Sequence, residues 1–163
     1  MPAWPPVIDG GKRFDLSHLD PFIIEFELDG LPVRLHVAFG AHVFSNERAH
    51  GVRVGLLRDE RYFCPRRYAT SFDAARYMHE GFIDGHVRAF LGRNGQQFYT
   101  LDAEHIAIFM TIRKTSHDER EIHCHVVSAY DPTWSRNRLP RGKLYAVRTV
   151  IRRRINGDAI PIR

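Results

Sequence analysis

The sequence has few cysteines, few lysines and no long apolar run. Cys64 and Cys124 are its only cysteines, and they lie in different segments and form no CxxC motif. No stretch approaches the roughly 18–20 apolar residues that a membrane-spanning helix needs. The N-terminal sequence MPAWPPVIDGG also lacks the basic and apolar regions of a signal peptide. We therefore expect a cytoplasmic protein with reduced thiols and no membrane partner.

The common motifs of nucleotide and zinc sites are also missing. The chain contains no GxGxxG motif, no P-loop and no HExxH motif. The stretch Gly92-Arg93-Asn94-Gly95-Gln96 is typical of a hairpin turn and not of a loop that cradles phosphate. The sequence therefore predicts no cofactor.

Basic charge is concentrated near the C-terminus. Residues 131–163 contain nine of the 24 Lys and Arg residues but only two of the 19 acidic residues, whereas residues 1–130 have a net charge of −2. Arg accounts for 21 of the basic residues, and it binds phosphate through two parallel hydrogen bonds and stacks on bases. This basic block predicts a polyanionic partner such as RNA. The predicted contacts are Lys143, Arg148, Arg152, Arg153 and Arg154.

The basic excess is also compatible with the absence of any nucleic-acid partner. A GC-rich genome favours Arg codons over Lys codons whatever the function of the protein. A charged helix face is also often simply solvated. A further alternative is that the basic tail binds an antitoxin or another acidic protein.

Length and composition predict a single α+β domain over residues 14–163, preceded by a flexible Pro-rich arm over residues 1–13. The Asp29-Gly30 dipeptide lies between two alternating apolar runs. A two-residue turn in this setting predicts a half-buried β-hairpin over residues 22–39.

Two helices are predicted. The first is expected to have Ser71 as its N-cap and to end at Gly81. The second is expected over residues 142–156, where apolar residues recur at helical spacing, although their β-branched side chains leave a strand as an alternative.

Between these helices, alternating residues and turn signals predict a four-stranded antiparallel meander. A two-residue turn at Asn94-Gly95 and a loop at residues 115–119 separate strands near residues 86–92, 96–101, 105–114 and 120–129. The predicted architecture is thus an N-terminal β-hairpin, a helix, a four-stranded antiparallel meander and a C-terminal basic helix.

The last predicted hairpin carries the side chains best suited to chemistry. Because side chains alternate along a strand, His123 and His125 should share one face while Cys124 points into the core. Pairing across the loop sets Arg113 opposite Glu121 on the histidine face. A two-residue slip of register would change the pairs but not the faces.

Two histidines, an arginine and a carboxylate are the groups that metal-free RNA cleavage uses. One imidazole can take the proton of the 2′-hydroxyl, and the other can protonate the leaving 5′-oxygen. Arg113 can neutralise the charge that grows on the phosphorane. On the neighbouring hairpin we predict Tyr99 and Phe90 as base-stacking residues, with Arg88 on the same face.

Two alternatives compete for the same residues, and a third concerns Cys64. In the first, the histidine face is solvated, and Arg113 and Glu121 form an ordinary cross-strand ion pair. Zinc is a minor alternative, in which His123 and His125 gain a third ligand from His36, His42 or His105. The third alternative is nucleophilic catalysis by Cys64. This residue lies beside Pro65-Arg66-Arg67, whose positive charge would lower the pKa of a thiol, but the spacing identifies no partner histidine.

Four short blocks resemble a group of small prophage- and plasmid-borne bacterial proteins labelled stationary phase growth adaptation proteins. The resemblance spans about residues 14–155, and the label names no chemistry. It implies that His42, Arg67 and Tyr68 are site residues, although Arg67 and Tyr68 also fit a clamp around a turn. The blocks are Phe14 to Phe22, His42 to Ser45, Phe63 to Tyr68 and Val126 to Pro132.

A helix followed by a meander, together with the basic excess, is also similar to RelE/ParE-type toxins and the wider barnase-like ribonuclease fold. This chain differs from them in its N-terminal hairpin and its greater length. The resemblance implies a small toxin-like endoribonuclease that cleaves RNA without metal. The alternative is a non-catalytic nucleic-acid-binding or regulatory module of a mobile element.

Overall fold

The computed structural model describes residues 4–55, 59–103, 105–115, 120–134 and 138–163. Within these residues the chain forms a seven-stranded mixed sheet, two small two-stranded sheets and two α-helices. In chain order the elements are β1 (Val7–Asp9), β2 (Lys12–Phe14), β3 (Phe22–Leu28), β4 (Leu31–Phe39), β5 (Ser45–Asn46), β6 (Tyr62–Phe63), α1 (Pro65–Glu80), β7 (His86–Leu91), β8 (Gln97–Ala103), β9 (Ile106–Lys114), β10 (Glu121–Tyr130), β11 (Leu144–Ala146) and α2 (Val147–Asn156).

The predicted layout of a separate N-terminal hairpin and a four-stranded meander is wrong. The strand order of the main sheet is β11-β7-β8-β9-β10-β4-β3, so both units belong to one sheet. They are joined by β4 and β10, which run parallel with Arg34 opposite Glu121 and Phe39 opposite Val126. Turn residues in the sequence predict which strands are antiparallel neighbours. Two parallel strands that are far apart in the chain share no turn, so the sequence contains no signal for their pairing.

Both helices bury their apolar residues against one face of the main sheet. Met78 of α1 and Ile151 of α2 belong to the same buried core as Met110 and Cys124 of the central strands. The residues that alternate with these along the strands lie on the opposite face. We call this opposite face, which carries Arg88, Arg113, His123 and His125, the open face.

The hairpin of β3 and β4 has the predicted register. Asp29 and Gly30 both have positive φ, at 54° and 76°, as a two-residue hairpin turn requires. Pairing runs outward from Leu28 opposite Leu31. The prediction from the Asp-Gly turn is therefore confirmed.

The predicted start of the first helix is wrong. It begins at Pro65, whose fixed φ and missing N–H suit the first position of a helix. Ser71 lies inside the helix, where its hydroxyl donates to the Tyr68 carbonyl at 2.6 Å. Gly81 follows the last helical residue, as predicted.

The C-terminal helix is also shorter than predicted, because Leu144–Ala146 pair with β7 as an edge strand. It ends at Gly157, which adopts the left-handed conformation at φ 73°. Near the N-terminus, β1 and β2 form a small hairpin, and the Trp4 indole donates to the Phe39 carbonyl at 3.0 Å. Within the described residues no helix has the length and apolar character needed to cross a membrane.

Candidate functional site

Strand β10 places two imidazoles on the open face. His123 and His125 are exposed, whereas Cys124 between them is 1% exposed and packs in the core. His123 lies opposite Arg113 and His125 opposite Thr111, a two-residue shift from the pairing expected from the loop. The predicted faces are therefore confirmed although the pairs differ. Most of the predicted loop, residues 116–119, lies outside the described residues.

A third histidine joins the first two through the parallel pairing of β4 with β10. The His36 ring stacks on the His123 ring with centroids 4.5 Å apart and an angle of 8° between the planes. His36 Nε2 is 3.3 Å from Glu121 Oε1, and Arg34 also donates to this oxygen at 3.0 Å. Glu121 therefore pairs with residues of β4 and not with Arg113, its predicted partner.

The environment of His123 and His125 favours their neutral forms. Partial burial lowers the pKa of His123, and the neighbouring His36 lowers it further. Partial burial also lowers the pKa of His125, with a further contribution from the positive charge of Arg113. The neutral form of each imidazole, which can accept a proton, is thus favoured at pH 7. Together with His36 they line a groove of about 430 Å³.

A row of four partly exposed aromatic rings runs across the open face beside the histidines. We call Phe90, Phe98, Phe109 and Tyr130 the aromatic row. Phe109 stacks on Tyr130 and Phe90 on Phe98, with centroids 5.5 and 5.8 Å apart. Phe90 meets Phe109 edge to face at 6.1 Å. Phe109 lies two residues before Thr111, the partner of His125, on the same face of β9, so the row adjoins the imidazoles.

Tyr99, predicted to stack a base, lies instead in the core. It is 0% exposed, and its hydroxyl accepts a hydrogen bond from Arg154 at 2.7 Å. Beyond the ends of β7 and β8, Gly92 donates to the Gln96 carbonyl and closes a three-residue loop, with Gly95 in the left-handed conformation, so Phe90 pairs with Phe98. This one-residue difference from the predicted pairing reverses the faces of the whole strand.

The sequence prediction therefore misses three members of the aromatic row. It places Phe98 on the wrong face, and it assigns no stacking role to Phe109 or Tyr130. Tyr130 reaches the open side because the pairing of β9 with β10 shifts at an irregularity between Val126 and Ser128. Gly95, the third residue of the loop, is the sequence signal that predicts the observed face of Phe98. The irregularity before Tyr130 lies inside a long strand and has no comparable signal in the sequence.

The basic residues of α2 are not brought together with the histidines. The apolar residues of α2 pack against the covered face of the sheet. Arg148 forms an ion pair with Asp84 at 3.0 Å, and Arg152 forms one with Asp29 at 2.8 Å. The remaining predicted contacts also meet groups of their own chain: Arg153 donates to the Ala159 carbonyl, Arg154 binds Gln97 and Tyr99, and Lys143 lies over the Tyr145 ring.

Three of the four short blocks that carry the family resemblance meet at the Tyr130 end of the aromatic row. Arg67 donates to the His42 carbonyl at 2.7 Å, and its guanidinium lies 5.6 Å from the centre of the Tyr130 ring. Burial lowers the pKa of His42, and the charges of Arg61 and Arg67 lower it further. Arg67 thus forms a cationic end to the row, beside a His42 imidazole whose neutral form is favoured.

Tyr68 belongs to a different environment. It packs against Phe14, Phe63 and Phe72 between the small N-terminal sheet and α1, and burial raises the pKa of its hydroxyl. This packing matches the alternative in which Tyr68 holds the chain together near a turn.

Arg88 lies at the far side of the open face, beside a cavity of about 1000 Å³. Its guanidinium donates to the Gly142 carbonyl at 3.1 Å. The chain segment of residues 138–141 forms one wall of the cavity, and outward side chains of β7, β8 and β11 form another.

The side chains considered for metal binding do not converge. Among the described residues no group of three or more His, Cys, Asp or Glu side chains is placed to hold a metal ion. His36 and His123 stack in parallel, and His105 lies 3.5 Å from Asp73 of α1. Cys64 is a free, half-buried thiol directly before α1.

Comparison with known proteins gives one match. A search of curated proteins and a search of solved structures found no similar protein. The sequence model of the YjaZ family matches residues 6–154, which include every strand of the main sheet and all of α1. This match covers most of the chain. The chain therefore belongs to the YjaZ family.

Proposed function

We propose that this protein is a cytoplasmic, metal-independent endoribonuclease that binds single-stranded RNA on the open face of its sheet. One observation carries the proposal: two exposed imidazoles, His123 and His125, lie beside Arg113 and next to the aromatic row. A toxin-like role is part of the same proposal and rests on the resemblance to toxin ribonucleases.

The aromatic row supports single-stranded RNA as the substrate. Exposed rings on a sheet stack unpaired bases, and each such contact contributes roughly 1–3 kcal/mol to binding. Bases within a duplex are already stacked on each other and cannot do this. Arg67 at the end of the row and Arg113 beside it are placed to bind the phosphates of the strand.

The two imidazoles suit cleavage by internal transfer. One takes the proton of the 2′-hydroxyl as the 2′-oxygen forms its bond to phosphorus. The other gives a proton to the 5′-oxygen as the bond from phosphorus to that oxygen breaks. The products are a 2′,3′-cyclic phosphate and a 5′-hydroxyl end. Residues two apart on a strand lie about 7 Å from each other, which lets the side chains flank one phosphate.

The test is cleavage of an end-labelled, unstructured RNA in the presence of EDTA. His123→Ala and His125→Ala should each lower the rate by about 10²–10⁴-fold, because each removes a proton-transfer group. Affinity for a 2′-O-methyl RNA of the same sequence, which cannot be cleaved, should stay close to wild type. His50→Ala is the matched control, since His50 is exposed and lies away from the main sheet.

A His123→Ala/His125→Ala double variant that cleaves RNA as fast as the wild type would end the ribonuclease proposal. A non-catalytic RNA-binding module is the second candidate. It is favoured by the stacking of His123 on His36 and the pairing of His36 with Glu121, which give these side chains a structural role. That candidate predicts RNA binding that depends on Phe109, with no cyclic phosphate product.

A further inference from the structure

The cavity beside Arg88 lies next to the aromatic row in the sheet. Leu144 lies opposite Arg88, Arg88 opposite Thr100, and Thr100 opposite Phe109. These four side chains form one line across the open face, because directly opposite residues of a sheet share a face. The cavity of about 1000 Å³ is lined by Leu144, Arg88 and Thr100 of this line, and Phe109 continues it.

The polar lining of the cavity is mostly cationic. Arg88, Arg138 and Arg141 line it, all three are exposed, and within the described part of the chain none forms an ion pair. His86 adds an imidazole, and Asp102 is the one carboxylate among the lining residues that the structure describes. Guanidinium groups that are not neutralised by carboxylates are suited to phosphate.

Thr100 is a buried polar residue whose hydroxyl has no hydrogen-bond partner in the described part of the chain. The residue is 3% exposed. Leaving a buried hydroxyl unpaired destabilises the folded protein. The Oγ1 atom lies just beneath the cavity surface, so a bound polar group reaches it and removes that cost when a neighbouring exposed arginine side chain moves aside.

The remaining walls suit a base and a sugar. Leu139, Pro140 and Leu144 provide apolar surface. Asp102 can accept hydrogen bonds from ribose hydroxyls or from the amino group of a base. A volume of about 1000 Å³ is at the upper end of the range for sites that enclose small organic ligands.

We propose that this cavity binds one nucleotide, with its phosphate held by Arg88, Arg138 and Arg141. In an RNA lying on the aromatic row, this would be the nucleotide that flanks the stacked bases. That part of the inference rests on the proposed function, whereas binding of a free nucleotide does not.

The experiment titrates the intact protein with each of the four ribonucleoside 5′-monophosphates and, separately, with inorganic phosphate. Calorimetry gives the affinity, and amide NMR shifts locate the site. We expect millimolar or tighter binding of a monophosphate, weaker binding of inorganic phosphate, and shifts at Thr100, Leu144 and residues 138–141. Arg88→Gln and Arg141→Gln should each weaken binding by about tenfold, as loss of a charge-assisted hydrogen bond does.

Thr100→Val provides a matched change, since valine keeps the shape and removes only the hydroxyl. It should weaken binding several-fold while leaving the fold intact, which a thermal melt checks. Arg93→Gln is the control, because Arg93 is exposed in the hairpin loop away from the cavity.

The inference is overturned if no monophosphate binds, if monophosphates bind no better than inorganic phosphate, or if the shifts map to His123 and His125. It is also overturned if Arg88→Gln and Arg141→Gln bind as the wild type does. If the protein does not cleave RNA but monophosphates bind at Thr100, the ribonuclease proposal fails and the nucleotide site stands. If RNA is cleaved but Arg88→Gln and Arg141→Gln leave monophosphate binding unchanged, the nucleotide site is wrong and the ribonuclease proposal stands.

Discussion

The two sides of the main sheet use arginine in different ways. On the covered side, Arg148 and Arg152 of α2 form ion pairs with Asp84 and Asp29, so their charge holds elements of the chain together. On the open side, Arg113 lies opposite an imidazole and Arg67 lies over an aromatic ring. Arg148 and Arg152 are therefore poorer candidates for contact with a polyanion than Arg113 and Arg67, which form no ion pair among the described residues.

The largest expected difference concerns two aromatic residues on opposite faces. Tyr99→Ala should lower the free energy of unfolding by about 3–5 kcal/mol, because it removes a fully buried ring. Phe109→Ala should cost less stability, since Phe109 is partly exposed, but should weaken RNA binding by roughly 1–3 kcal/mol. Urea unfolding and fluorescence anisotropy with a labelled RNA measure the two effects.

Tyr99→Phe keeps the ring in place and serves as the control for RNA binding. It should bind RNA as the wild type does. If it weakens binding as much as Phe109→Ala, the assignment of the open face as the RNA-binding face is wrong.

The next comparison is between two arginines. Arg113→Ala should slow RNA cleavage by about 10²–10³-fold, as loss of a group that stabilises transition-state charge does. Arg148→Ala should change the rate by less than about twofold, because Arg148 is bound to Asp84 on the other side of the sheet. Single-turnover cleavage rates test both. Equal losses for the two variants would contradict the distinction between the faces.

The pH dependence of RNA cleavage tests the histidines of the open face. The pKa values of His123 and His125 are both lowered from 6.5. A pair with one neutral and one protonated imidazole is therefore most populated on the acidic side of pH 6.5, and kcat/KM should have its maximum there. Arg113→Lys keeps the positive charge and should leave the pH of this maximum nearly unchanged. A maximum above pH 7 in the wild type would contradict the lowered pKa values of His123 and His125.

Stability should follow the same histidines. The pKa values of His18, His42, His123 and His125 are all lowered in the folded protein, so the unfolded chain binds more protons just below pH 6.5. These histidines contribute their full stabilisation of the folded state above pH 6.5. That stabilisation is lost as the pH falls through their lowered folded-state pKa values. Tm measured from pH 7.5 to pH 5 should decrease accordingly, and less so in a His123→Gln/His125→Gln variant.

The smallest expected effect is that of the Arg152–Asp29 pair. Arg152→Ala should produce only a small decrease in Tm, because the pair is exposed. The decrease should shrink further in 1 M salt, which screens exposed charges. RNA cleavage should not change. A marked loss of cleavage in this variant would restore α2 as part of the RNA site.

Some features of this fold could be predicted because they depend on local rules. The hairpin around Asp29-Gly30 has the predicted register, since a two-residue turn leaves no freedom in the pairing. The predicted faces of His123 and His125 are correct although the pairing shifts, because a shift of two residues preserves the alternation.

Other features depend on information that is not local. The pairing of β4 with β10, which brings His36 to His123, joins segments far apart in the chain. The position of Tyr99 depends on whether the loop before it has two or three residues, and Asn94-Gly95 fits both. The start of α1 at Pro65 is hard to predict because Ser71, a good capping residue, competes with the proline signal.

The parallel joint between β4 and β10 has a consequence for how the protein is made. During synthesis, β3 and β4 leave the ribosome long before residues 121–130 do, so one edge of β4 stays without its partner strand during that interval. Contacts of such long sequence separation slow folding. The stacked pair of His36 and His123 spans this joint, so the imidazole cluster is assembled only after residues 121–130 emerge, and shorter nascent chains lack it.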